Sequence, residues 1–157
     1  MIHLQNTLPA TDILHQLLHM LCRGLSAYVD EINPWMQPGH GPLSKALANL
    51  AADRRLFAQR TAQAILDCGE YPDPGTFPLE YTGLNDVSIE YLASELSDSL
   101  QLDIEILREF SAQLAESPEL HALAEEILGN TIGHAEILEK TMNTERRTQN
   151  DEISAAF

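Results

Sequence analysis

Residues 117–142 read SPELHALAEEILGNTIGHAEILEKTM, and this stretch decides the fold. Ser117 is a helix-capping residue type, Pro118 suits the first helical position, and Glu119 places an anion where the helix dipole favours one. Apolar or small groups then recur in steps of three and four at Leu120, Leu123, Ile127, Thr131, His134 and Leu138. That spacing predicts the inward stripe of a bundle helix. Thr131 and His134 are the polar members, three residues apart, so they project from one face. A polar pair inside an apolar seam is what any functional reading has to explain.

Three more stripes of the same kind precede it. A first helix, capped by Thr7 or Thr11 and running to about Ile32, carries Leu14, Leu17, Leu18, Leu21, Leu25, Tyr28 and Ile32. Asn33-Pro34 ends it, because a residue before proline is pushed out of helical geometry. A second helix opens on Pro42 and reaches about Cys68, with Gly69 as a left-handed stop. Its stripe is Leu43, Leu47, Leu50, Arg54, Phe57, Thr61 and Ile65, so a guanidinium falls in mid-seam. A third helix, capped by Asn85 or Asp86 and reaching about Ala115, carries Ile89, Leu92, Leu96, Ser99 or Leu100, Asp103, Ile106 or Leu107, Phe110 and Leu114. Here too one charged residue, Asp103, sits in the seam. Glu116 and Ser117 leave room only for an antiparallel turn into the fourth helix. Past Met142 the apolar period is lost, which predicts a bundle domain over 1–143 and a mobile tail over 144–157.

Between the second and third helices lies EYPDPGTFPLEYTGLN, residues 70–85, rich in turn formers. A helix of about 27 residues is roughly 40 Å long. A strap of about 16 residues reaches roughly 50 Å. The segment can therefore travel the length of the bundle and let the third helix run parallel to the second. The expected fold is all-α: an antiparallel four-helix bundle with one long crossover.

Composition bounds the function. The chain of 157 residues is one domain with room for a real core. Its formal charge of -15 argues against nucleic acid and anionic membrane surfaces as partners. Cys22 and Cys68 form no C-x-x-C pair and read as structural free thiols, though sequence alone leaves a bridge open. No basic region precedes the apolar N-terminal residues, so no secretion signal is read there and a cytoplasmic location is the expectation.

Four long helices with this crossover resemble the ferritin-like fold. More specifically, Asn130-Thr131-Ile132-Gly133-His134-Ala135-Glu136-Ile137-Leu138-Glu139 is similar to the fourth-helix segment of bacterioferritins and rubrerythrins. In those families a Glu-x-x-His pair there helps to bind a di-iron centre. Arg54-Arg55-Leu56-Phe57-Ala58 resembles, in spacing, the family's second-helix Glu-x-x-His segment. Carried over position by position, the imidazole of the fourth helix is His134, but the glutamate three residues earlier is Thr131. The second-helix glutamate and histidine positions hold Arg54 and Phe57. The first-helix carboxylate position falls near Leu21, and the third-helix one near residues 98–101, with Asp98 the nearest acid and Asp103 the next. A di-iron site needs four carboxylates and two imidazoles to balance and bridge its metals. A guanidinium stays protonated and ligates nothing. The resemblance therefore implies a ferritin-like bundle whose di-iron ligands are largely lost. In their place the sequence predicts a buried polar cluster of Arg54, Asp98, Asp103, Thr131 and His134, with Arg54 paired to Asp103 or Asp98.

Other candidates carry less. His15 and His19 have a two-ligand spacing without a third ligand, and His40 is a lone loop residue. Glu126, Asn130 and His134 share a face, so a single divalent metal on His134 with Glu126, Asp98 or Asp103 is the alternative to a metal-free core. Gly129 and Gly133 fit either simple tolerance or the close approach of another helix. Trp35, Met36, Tyr71, Phe77, Leu79 and Tyr81 are expected to pack over one end of the bundle, the alternative being a surface for a partner. No nucleophilic triad, phosphate loop or dinucleotide fingerprint is visible. The expected function is a non-enzymatic, cofactor-free scaffold that associates with itself, as a homodimer, or with another protein. The alternatives are a metalloprotein of iron oxidation, storage or stress response, and a binder of small molecules in the bundle core.

Overall fold

A computed structural model describes residues 9–32, 41–76, 81 and 88–156. Within them the chain forms α1 (Ala10–Arg23), α2 (Leu25–Ile32), α3 (Gly41–Asp67), α4 (Ile89–Gln113) and α5 (Pro118–Ala155). It is an all-α four-helix bundle in which α1 and α2 together form the first rod. The break falls at Gly24, whose backbone is extended (φ -73°, ψ 169°). A Cβ there would collide with the carbonyl oxygen of Met20, so the close approach requires glycine. The sequence had predicted one continuous helix across this position.

The helix ends follow local chemistry. Pro9, not Thr11, stands at the start of α1, with its carbonyl accepting from the backbone N–H groups of Asp12 and Ile13. Gly69, at φ 87°, closes α3: its N–H donates to the Leu66 carbonyl and that of Glu70 to the Ile65 carbonyl, the two bonds of a Schellman stop. Ser88 caps α4, its Oγ accepting from the Tyr91 N–H at 3.2 Å. The proposed caps Thr7, Asn85 and Asp86 lie outside the described residues, as do Asn33, Pro34, Trp35, Met36, His40, Phe77 and Leu79. Ser117 precedes α5 without a side-chain capping bond. That helix continues to Ala155, well beyond the expected boundary at Met142. Residues 146–156 are exposed throughout, so this extension adds helix without adding core.

The four stripes close on one leucine-rich interior. Leu17, Leu21, Leu50, Leu92, Leu100, Leu107 and Ile127 are each at most 2% exposed. Each such side chain contributes about 1.5–3 kcal/mol on leaving water. The contacts also fix direction. Leu14 and Leu18 pack with Ile65 while Cys22 and Arg23 line one cleft with Ala51, Arg54 and Ala58, so α1 and α3 are antiparallel. Asp53 meets His134 and Arg60 meets Glu126, so α3 and α5 are antiparallel. Leu43 and Glu90 line one pocket, and Arg54 meets Asp103, so α3 and α4 are parallel.

A parallel pair needs a connection that returns the full length of the bundle, and the described parts of the strap lie along the first rod. His15 bonds Glu70 at 3.2 Å, the Arg23 Nε donates to the Gly75 carbonyl at 2.9 Å, and the tilted rings of Tyr28 and Tyr81 meet with centroids 5.3 Å apart. Tyr71 departs from its expected packing and is 88% exposed. Among the described residues, no helix is long and apolar enough to cross a membrane.

Candidate functional site

Arg54 comes to the middle of the bundle because α3 places it four residues after Leu50 and three before Phe57, on the buried face. Only 1% of it reaches solvent. Its Nη2 donates to Asp103 Oδ2 at 3.4 Å, a long contact for a charged pair. Its Nε and Nη1 are buried and have no hydrogen-bond partner among the described residues. Nε carries one N–H and Nη1 two, so three of the five guanidinium donors are unsatisfied.

The charges register that shortage. Burial pushes the Asp103 carboxyl up to about 6, against the opposing pull of Arg54. Burial likewise lowers the Arg54 guanidinium from its ordinary value, with Asp103 opposing. The cost of taking these groups out of water exceeds what their attraction returns, as expected for an imperfectly aligned buried pair.

The other members of the predicted cluster go elsewhere. Thr131 is buried, but its hydroxyl donates back to the Ile127 carbonyl at 2.8 Å, one turn earlier in its own helix. Asp98 is exposed. His134, 11% exposed, uses its Nε2 to donate to Asp53 Oδ2 at 2.6 Å, and Asn130 Nδ2 donates to the same oxygen at 2.9 Å. These bonds, Asn130 first, hold the Asp53 carboxyl below its ordinary value. One α-turn on, Glu126 accepts from Arg60 at 2.8 Å, which lowers the Glu126 carboxyl. Asp53 and Arg60 are thus matched along the α3–α5 seam by Glu126, Asn130 and His134. The face expected to offer metal ligands is spent on a polar zip between two helices. Asp53 was not singled out from sequence. Its signal was its place beside the α3 stripe, seven residues before Arg60, which suits pairing with a neighbour's flank.

A second cluster also escaped sequence reasoning. The Ser111 hydroxyl donates to Glu125 Oε1 at 2.5 Å, and His121 donates from Nδ1 to the Ser111 carbonyl at 2.8 Å. Together they clasp the α4–α5 turn.

The residues do not fit a dinuclear iron site. Of the positions that the resemblance would give to di-iron ligands, Leu21, Arg54, Phe57 and Thr131 are buried and offer neither carboxylate nor imidazole, with Leu21 and Arg54 lining one cleft, and His134 is bound to Asp53. Among the described residues, no group of three or more His, Cys, Asp or Glu side chains is placed to hold a metal ion. His15 and His19 instead face the strap: His15 bonds Glu70 and His19 packs against Gly75. Cys22 and Cys68 are free thiols. No family model matches the chain, and neither a curated protein nor a solved structure does.

Proposed function

We propose that this chain is a ferritin-like bundle that has exchanged dinuclear metal chemistry for a protein-only core, and that it works as a non-enzymatic scaffold associating with itself or with another protein. The topology supports the ferritin-like reading: α3 and α4 run parallel, with the strap laid along the first rod. The observation that carries the loss of chemistry is Arg54, a buried cation where two further cations would have to sit. Its charge raises the electrostatic cost of a divalent ion at that level of the bundle, and its partner Asp103 is already engaged.

Metal analysis of chain purified without chelator tests the reading, alongside a His134→Ala variant. The expected result is iron, manganese and zinc all far below one ion per chain, with no difference between the two proteins. Stoichiometric metal in the parent that disappears in the variant overturns it. Light scattering coupled to size exclusion reads the association, for which a dimer is the expected result and a strict monomer with no captured partner the opposing one.

A further inference from the structure

A cleft of about 220 Å³ opens between the first rod and α3, beneath the strap, and Arg54 forms part of its wall. This exceeds the roughly 150 Å³ of a cavity that admits benzene. Arg23 and Arg55 line the same cleft, with Leu21, Cys22 and Pro74. The chain has only nine Lys and Arg residues against 24 Asp and Glu, so three arginines around one small cleft run against its overall charge.

We propose that this cleft binds a small oxyanion, the carboxylate or phosphate group of a small molecule, with the unpartnered N–H groups of Arg54 as its principal donors. A planar guanidinium with unsatisfied donors recognises such groups through charge-assisted hydrogen bonds. The wall supplies no competing anion from Cys22, because burial pushes that thiol up and keeps it neutral. The apolar part of the wall, Leu21 and Pro74, suits a compact organic body attached to the charged group. Both free nitrogens are buried, so the anion reaches them when a wall side chain swings aside. Arg23, whose Nε donates to the Gly75 carbonyl, and Arg55 stand on the same wall and add positive charge around the occupant. The inference needs only the buried guanidinium and its cleft. It stands whether or not the ferritin-like reading does, and metal content tests that reading separately.

Titration calorimetry on the full chain decides it, with inorganic phosphate and benzoate as the probes and chloride matching the ionic strength. The expected result is saturable one-to-one binding of at least one probe. The probe that binds distinguishes a phosphate site from a carboxylate site. Arg54→Gln should abolish the signal. Should that variant fail to fold, Arg55→Gln, at an exposed position, and Ala27→Leu, which fills the cleft, should each weaken binding by roughly tenfold or more. Heats no larger than those of chloride for both probes, or binding unchanged in Arg55→Gln and Ala27→Leu, overturn the proposal.

Discussion

Replacing Arg54 by methionine separates two accounts of the bundle centre. Methionine keeps most of the apolar stem and removes the guanidinium, so packing changes little while the charge goes. Asp103 is then left without its cation. Its carboxyl already stands at about 6 with Arg54 beside it, against an ordinary 3.8. That rise corresponds to on the order of 3 kcal/mol against ionising the group in the fold at neutral pH. Between those two values the folded chain holds a proton that the unfolded chain has released. In the parent this contribution to stability is therefore complete below about 3.8 and lost as pH rises through about 6. Without Arg54 the carboxyl moves higher still, and the penalty extends further into the alkaline range.

Urea denaturation of Arg54→Met should show a loss of up to about 2 kcal/mol near pH 7.5, the most that the interval from about 6 to 7.5 allows, equivalent to roughly 4–8 °C in Tm, and a much smaller loss near pH 5. The double variant Arg54→Met/Asp103→Leu removes both charges and all the unsatisfied donors. It should be at least as stable as the parent near pH 7.5, and up to about 4 kcal/mol more stable. The reasoning is refuted if the double variant is less stable than the parent by more than about 2 kcal/mol, because the pair would then be a net source of stability. An equal loss for Arg54→Met at both pH values refutes it too, since Asp103 would not be the group left exposed to the cost.

Three further outcomes are expected. Ser88→Ala removes the hydroxyl that accepts from Tyr91 and should cost about 1 kcal/mol, seen as a lower Tm with an unchanged circular dichroism spectrum. Asp53→Asn should flatten the acid limb of the stability curve: the lowered Asp53 carboxyl contributes above about 3.8, and that contribution is lost as pH falls through its lower folded value. With Asp53 40% exposed the effect stays below about 1 kcal/mol in urea melts. Gly129→Ala and Gly133→Ala each add a Cβ that meets no described residue within 4 Å beyond its own helix turn, so each should stabilise an isolated chain by up to about 1 kcal/mol; destabilisation that grows with protein concentration would instead place a second protomer on this face of α5.

Much of the fold was legible because stripes and stops are local signals. Leu92, Leu96, Leu100 and Leu107 recur at helical spacing and all are buried on α4. Gly69 announces the end of α3 by its chemistry alone, and the backbone there is left-handed. The break at Gly24 was not legible, because the Leu21–Leu25 period continues straight through it and glycine within a helix pattern has several readings. The extension of α5 to Ala155 was hidden for the opposite reason: a solvated helix needs no apolar face, so periodicity is silent about it.

The site divides along the same line, and the division explains why the polar residues do not gather in one cluster. A stripe predicts how far a side chain turns toward the axis, and by that measure Arg54 and Thr131 both point inward. It does not predict which polar atom a buried group will choose. Thr131 satisfies its hydroxyl one turn back on its own helix, at no cost in long-range order. His134 lies at the stripe's edge, so its ring reaches the flank of α3, where Asp53 sits about 100° around the helix from Arg54. Once Asn130 and His134 both donate to Asp53, that carboxylate is committed to the α3–α5 seam. Arg54 is left with Asp103 alone, on the parallel neighbour, at a distance too long to satisfy it. Adjacent residues on α3 thus serve different neighbours: Asp53 answers the donors of α5 on the flank, while Arg54 turns to the core, where Asp103 is its one acceptor among the described residues.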